Sequence, residues 1–514
     1  MRTPLARKLA LLMRRAQFLN QRPDLSVNQL SDQLASRRNF LKKSAIIPAG
    51  LILSGGFLEA CACLCKKDSG THSKVTILGG GMSGLVSAYY LTKAKIPCEI
   101  YESSERSGGR VFTKYNFNQE NMYCELGGEL VDSNNEDLIK LCREFLIEVE
   151  AFAAFDKGLE SNLYFIENKY YTDRELLPAF QKFAKHLAAA KAAPVPSMDR
   201  LSLEEYLQGL EDVEPWLTQV IRVAYIGESG VEADEQSAYM MISTMDSDFS
   251  KGTKFFGDSD EALKIKGGNT RLTQAIEKYL IANGVEIHFD TPLIGIKETS
   301  QKIELQFQKD ISNFTVRADR VICTIPFSRL RDVDGIANLG LSAKKKACIE
   351  QMRYGTNSKM MLGFQKPLWR EPSHHHSNGM VYTDLFDQNL WETSRLQQGK
   401  SGILTSFTGG KNGRALSIDQ VQAYLKSIDQ VFPGLQKIHD SNSAMFNWSQ
   451  YKHTKGSYSV LAPGQMTQFG DVAGLPELSG RLLFAGEHAT KEFAGFVNGA
   501  AYSGRKAAEK VIAG

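Results

Sequence analysis

The chain has 514 residues, 42% hydrophobic and 23% charged, with a formal net charge of +3. This is ordinary globular composition, with length for a large core and two domains. The first 70 residues hold 12 Lys/Arg against 4 Asp/Glu, leaving 49 basic and 54 acidic residues in the remainder. The slight basicity therefore belongs to the N-terminal segment, and nothing argues for a nucleic-acid partner.

In that segment Ser36-Arg37-Arg38-Asn39-Phe40-Leu41-Lys42 closely resembles the twin-arginine export motif, and an apolar stretch follows at 45–58. Pro48, Gly50, Gly55 and Gly56 interrupt the stretch, which is too short to span a membrane. Twin-arginine machinery carries folded proteins, so the expectation is an exported, periplasmic protein loaded with its cofactor before it crosses. The motif starts late for a leader, which makes Met13 a candidate start. Leu58-Glu59-Ala60-Cys61 partly resembles a lipoprotein cleavage box, with Glu59 atypical, so Cys61 is a candidate for lipid attachment. Residues 1–70 read as leader and linker.

Residues 74–110 carry the strongest local pattern. A buried strand, 75–78, runs into Gly79, Gly81 and Gly84 in G-x-G-x-x-G spacing, with Met82 and Ser83 in the same turn. A helical run, 85–92, and a second strand, 98–101, follow, and Glu102 stands 18 residues after Gly84. Gly79 permits the tight turn, Gly81 lets backbone approach a pyrophosphate, and Gly84 lets helix and strand pack closely. The helix N-terminus offers N–H groups and a positive dipole end to phosphates, and Glu102 sits where a carboxylate accepts from a ribose diol. The pattern predicts a dinucleotide site without separating NAD from FAD.

Glu125-Leu126-Gly127-Gly128-Glu129 is a second glycine-rich turn, and 134–255 is mostly helical in periodicity, punctuated by Pro194 and Pro196. Lys266-Gly267-Gly268-Asn269 leads into a helix at 270–282, ended by Asn283-Gly284, and a strand follows at 285–289. Alternation at 302–307 and 315–326 predicts antiparallel strands. The 359–369 stretch reads as a strand, and 481–489 as a strand entering a turn before a glycine-opened terminal helix. The predicted fold class is α/β: a Rossmann-like domain assembled from 74–133, 256–330 and 441–514, plus an α+β substrate-binding domain with helical insertions from 134–255 and 331–440. None of the eight cysteines forms a C-x-x-C pair, and His374-His375-His376 reads as a polar loop, so no metal site is expected.

Ser107-Gly108-Gly109-Arg110 resembles the GGR element that follows the second strand in flavoproteins of the amine oxidase family. Ala485-Gly486-Glu487-His488 with Gly495-Phe496-Val497-Asn498-Gly499-Ala500 is similar to that family's closing signature. By these motifs residues 74–514 resemble the flavin-containing amine oxidase superfamily, which holds monoamine, polyamine and L-amino acid oxidases. The resemblance implies FAD, with Gly109 and Arg110 near its phosphates and Gly128 and Glu129 along its cradle. It implies Glu487 at the ribityl and pyrophosphate region, Val497 and Ala500 at the flavin pyrimidine edge, and Leu293 with its backbone against adenine. Lys359, ten residues before Trp369, matches the family lysine that holds a water against flavin N5. Tyr458 and Phe496 match the two walls of the aromatic cage that steers an amine to the flavin.

Two departures narrow the expectation. Ser457 stands where some monoamine oxidases carry the cysteine bonded to flavin, so FAD is expected to bind non-covalently. Leu130 stands where L-amino acid oxidases carry the arginine that clamps a substrate carboxylate, which favours amines. The implied activity is oxidation of an amine at its α-carbon, with O2 as acceptor, giving an imine, then aldehyde and ammonia, and H2O2. The alternatives are oxidation of an L-amino acid, including a tryptophan 2-monooxygenase-like reaction, a flavin-dependent desaturase or isomerase of an apolar substrate, and a protein that keeps FAD only as a structural element. A homodimer is a further candidate partnership.

Overall fold

A computed structural model of the chain describes residues 12–13, 15–17, 19–20, 74–160, 163–171, 173–245 and 260–514. The twin-arginine motif and Cys61, Cys63 and Cys65 lie outside those residues. The five other cysteines are buried and free. Among the described residues no helix is long and apolar enough to cross a membrane.

The strands Val75–Leu78, Cys98–Tyr101, Arg320–Cys323 and Leu482–Phe484 are short runs that are almost wholly buried, the signature of a parallel sheet covered on both faces. With Glu286–His288 they form one five-stranded sheet, all of its pairings parallel. Its spatial order is Leu482–Phe484, Arg320–Cys323, Val75–Leu78, Cys98–Tyr101, Glu286–His288. The order reverses between Val75–Leu78 and Arg320–Cys323, so a crevice opens beyond the C-terminal ends of those two strands. The fingerprint helix, Met82–Lys93, starts in that crevice. The terminal helix, Val497–Ala513, packs on it so tightly that Ser87 Oγ donates to Gly504 O at 3.0 Å. The 315–326 region divides: Ser312–Ala318 joins a small antiparallel sheet with Leu293–Glu298 and Ile303–Lys309, whereas Arg320–Cys323 enters the parallel sheet.

A second, seven-stranded sheet runs in the order His439–Asn447, Ser358–Phe364, Gly402–Thr408, Asn389–Glu392, Val381–Thr383, Leu163–Ile166, Lys169–Tyr171. His439–Asn447 lies almost entirely in the stretch expected to belong to the dinucleotide domain. Its pairing with Ser358–Phe364 places it here, because the sheet edge satisfies its backbone. Within this sheet Lys359 lies opposite Phe407 on one side and Phe446 on the other, and Trp391 lies opposite Thr405. Directly paired residues share a face, so lysine, phenylalanines and tryptophan look out from one side.

Helices Asp173–Ala192, Pro215–Ser229 and Ala238–Thr244 cover part of this sheet with an apolar core. Leu12, Met13, Ala16 and Leu19 belong to the same core, none more than 3% exposed, at helical spacing on one face. Asn20 Nδ2 donates to Gln181 O at 3.0 Å. In the full chain, these residues of the segment expected as leader therefore pack on this core. Removing a fully buried leucine leaves a cavity, so Leu12→Ala should cost about 2–5 kcal/mol of unfolding free energy. Urea denaturation of the full chain tests this; an unchanged midpoint would show that the segment does not pack there.

Candidate active site

The crevice at the strand reversal continues into a cavity between the two sheets, and most of the residues singled out from the sequence converge on it. Gly79, Gly81, Met82, Ser83, Glu102, Gly109, Arg110, Gly128, Glu129, Lys359, Tyr458, Glu487, Phe496, Val497 and Ala500 all line it. Gly84 does not; it sits under the turn, where a Cβ would lie 1.9 Å from Gly79 O, so its role is helix–strand packing. Leu293 is also absent from the lining. Its half-buried side chain packs on the core beside the small antiparallel sheet.

The crevice has the features of a phosphate cradle. Gly79 adopts φ +102°, and Gly81 meets nothing closer than 3.9 Å beyond its own Cβ position, leaving backbone open to the cavity. Ser83 Oγ is buried, lines the cavity and has no hydrogen-bond partner among the described residues. Glu102 is held by the Gly80 N–H (2.6 Å) and the Ser104 N–H (2.8 Å). The terminal helix begins at Val497 with no side chain capping its first turn, so its N–H groups and positive dipole end face the cavity. Arg110 is pinned, donating to Glu487 at 2.8 Å and to Ser457 O at 2.6 Å, while Ser459 Oγ donates to the other Glu487 oxygen at 2.9 Å.

At the far end Tyr458 and Phe496 line the cavity together with Trp391, Phe407 and Asn357. Tyr458 donates to Gly227 O (3.1 Å), as does Asn357 Nδ2 (2.8 Å), which anchors both to the end of helix Pro215–Ser229. Trp391, Phe407 and Asn357 carry no motif. Only the sheet register could have found Trp391 and Phe407, through their shared face with Lys359. Lys359 Nζ, 5% exposed as a side chain, pairs with Glu129 at 2.8 Å, donates to Glu125 O at 3.1 Å and lies 5.0 Å from the Trp391 ring. Leu130 lines the same wall. The two strong cations of the lining, Arg110 and Lys359, are therefore both engaged by carboxylates.

His374, His375 and His376 do not converge: His374 meets Pro433 O, His376 meets Arg370 O, and His375 packs on Tyr170. The one group with metal-ligand spacing among the described residues is Glu99, Glu286 and His288, where Lys74 already pairs with both carboxylates.

Residues 82–512 match the family model for flavin containing amine oxidoreductases. The chain belongs to that family. A pseudooxynicotine dehydrogenase of a Pseudomonas species is 24% identical over 94% of this chain and 96% of its own length. The L-amino-acid oxidase of Daboia russelii is 25% identical over 88% of this chain and 92% of its own. In fold the chain is similar to cyclohexylamine oxidase from Brevibacterium oxydans IH-35A, with a TM-score of 0.73 at 18% identity, covering 86% of this chain and 99% of that one. As a flavin amine oxidoreductase the chain must hold a flavin. The orphaned Ser83 hydroxyl, the open backbone at Gly81 and the uncapped helix at Val497 fit the dinucleotide FAD.

A second layer of ionisable groups lies behind Lys359 in this oxidoreductase. Burial pushes the Glu125 carboxyl up to about 7, against the bond it accepts from the Asn269 N–H. Burial likewise pulls the Lys264 ammonium down to about 8. A raised carboxyl binds its proton more tightly in the folded state, so its contribution to stability is full below the ordinary carboxyl range and is lost as pH rises through about 7. Glu125→Gln removes that titration while keeping a similar shape. Between about pH 5 and about pH 8 the variant apoprotein should lose less thermal stability than wild type. Parallel melting profiles would show that Glu125 ionises normally.

Proposed function

We propose that the chain oxidises a primary or secondary amine at its α-carbon, with O2 as the final acceptor. Overall, amine and O2 give imine and H2O2, and water takes the imine to a carbonyl compound and an amine or ammonia. The observation that carries this reading is the single cavity shared by the dinucleotide cradle, the aromatic pair Tyr458 and Phe496, and Lys359.

A bound FAD supplies the hydride acceptor, and the protein supplies position, dryness and charge. The glycine turn, Ser83 and the terminal helix would hold its phosphates and ring edge, and Glu102 its ribose. Tyr458 and Phe496 present aromatic faces that attract an amine while excluding water. Anchoring of Tyr458 on Gly227 O fixes that wall. A free amine must reach the site neutral to give up hydride, and an apolar, aromatic pocket favours that form.

A substrate carboxylate has no comparable support. Leu130 is apolar, Arg110 is tied to Glu487, and Lys359 to Glu129. An unpaired buried carboxylate costs several kcal/mol, so amines are preferred over amino acids. The likeness to an L-amino-acid oxidase keeps amino-acid oxidation as the second reading. Export to the periplasm rests on the motif at 36–42 and lipid attachment on the sequence around Cys61.

Tyramine, benzylamine, putrescine and L-amino acids, each scored for peroxide and for anaerobic bleaching of the flavin, separate these readings. Turnover of an amine with peroxide release is expected. Strong turnover of an amino acid with silence on amines would install the second reading, and bleaching without peroxide would replace O2 by another acceptor. Ser457 stands where some relatives carry the flavin-bonded cysteine, and among the described residues no cysteine lines the cavity, so FAD is proposed to be non-covalent and acid denaturation should release it into the supernatant. Flavin remaining with the precipitated protein would show a covalent bond.

A further inference from the structure

Glu129 enters the cavity from the second glycine-rich turn, where it was expected along the cofactor. Its carboxylate is already used. One oxygen pairs with Lys359 at 2.8 Å, and the other accepts from Thr393 Oγ1 at 2.8 Å. Thr393 Oγ1 is in turn 2.6 Å from Thr405 Oγ1, and Thr405 lies opposite both Met361 and Trp391 in the sheet. The pair therefore bridges a turn of the dinucleotide domain and the face of the substrate sheet, and hydrogen-bonded strands set its geometry. Both side chains are at most 10% exposed.

We propose that Glu129 is the positioning residue for Lys359: it fixes the ammonium in one place and one charge state beside the cavity. The proposal rests on reading Lys359 as the lysine beside flavin N5 whose positive charge favours electron transfer to O2, and it assigns the partner on which that lysine depends. A buried ammonium without a counter-ion sheds its proton, because desolvation penalises only the charged form. Among the described residues Glu129 is the carboxylate within ion-pair distance of Lys359. The surrounding elements supply Glu125 from the strand before the turn, Lys264 from Leu263–Ile265, and Glu392 and Arg395 from the end of Asn389–Glu392. Arg395 pairs with Asp156 and Glu392 with Arg370. Glu125 offers Lys359 its backbone oxygen, while its carboxylate accepts from Thr113 and the Asn269 N–H. None of these replaces Glu129. Burial alone would raise the Glu129 carboxyl; the Lys359 charge and the bonds from Lys359 and Thr393 hold it below the ordinary range, so the carboxylate is present at neutral pH.

Two measurements test this. In the apoprotein, a double-mutant cycle with Glu129→Gln and Lys359→Met should show strong coupling, the double variant melting higher than the sum of the single losses predicts. In the holoenzyme, flavin reoxidation by O2 in Glu129→Gln should acquire a limb that falls as pH rises through neutrality, by about tenfold per pH unit, with the KM for the amine little changed. Glu129→Asp, which keeps the charge, should restore the wild-type pH profile at least in part. Additive melting losses, or a Glu129→Gln profile identical to wild type, would overturn the proposal. Lys359→Met with wild-type reoxidation would instead overturn the reading of Lys359 itself, whatever the apoprotein cycle shows.

Discussion

The close packing of the terminal helix on the fingerprint helix is the constraint on which the site depends. A Cβ at Gly504 would lie 2.3 Å from Ser83 O, and one at Gly84 would lie 1.9 Å from Gly79 O. A third contact of this kind joins the second glycine turn, where a Cβ at Gly128 would meet the Val497 side chain at 2.6 Å. Side chains at these points would push apart the fingerprint turn, the second glycine turn and the terminal helix, the last of them hundreds of residues from the other two. With them in contact, two helix N-termini open on one crevice. Convergence of this kind matters because donors already aimed at an anion need no rearrangement when it binds.

From that contact the charges of the site follow. The strand reversal places Arg110 and Glu487 at the middle of the cavity, where they neutralise one another, and the facing sheet delivers Lys359 to Glu129. Both pairs are largely desolvated, so each member would be costly alone and the arrangement is all-or-none. The proposed preference for amines rests less on an attractive group than on a missing one: among the described residues both strong cations of the cavity lining, Arg110 and Lys359, are already paired.

Much of the dinucleotide half was legible in the sequence because its signals are local. The strand Val75–Leu78, the strand Cys98–Tyr101 and the helix Thr270–Ala282 lie at the predicted positions, since buried runs, glycine spacing and an Asn-Gly stop are short-range features. The substrate half was harder. Trp391 and Phe407 sit in stretches with no motif, and what brings them beside Lys359 is strand register across about 50 residues of chain. Glu129 was visible as a residue of a glycine turn, but its partner is 230 positions away. That Leu12, Met13, Ala16 and Leu19 face this core was not legible in the sequence, because helical periodicity alone does not say which surface a short helix covers.

The sequence by itself determined the cofactor class and the family, because a phosphate cradle is built from contiguous glycines and a helix start, and those leave a fixed spacing in the chain. The tertiary structure alone decided which charges are free. Whether Lys359 is a lone cation, or Glu129 a ligand for the cofactor, depends on distances between residues far apart in the chain, and burial makes the pairing energetically binding.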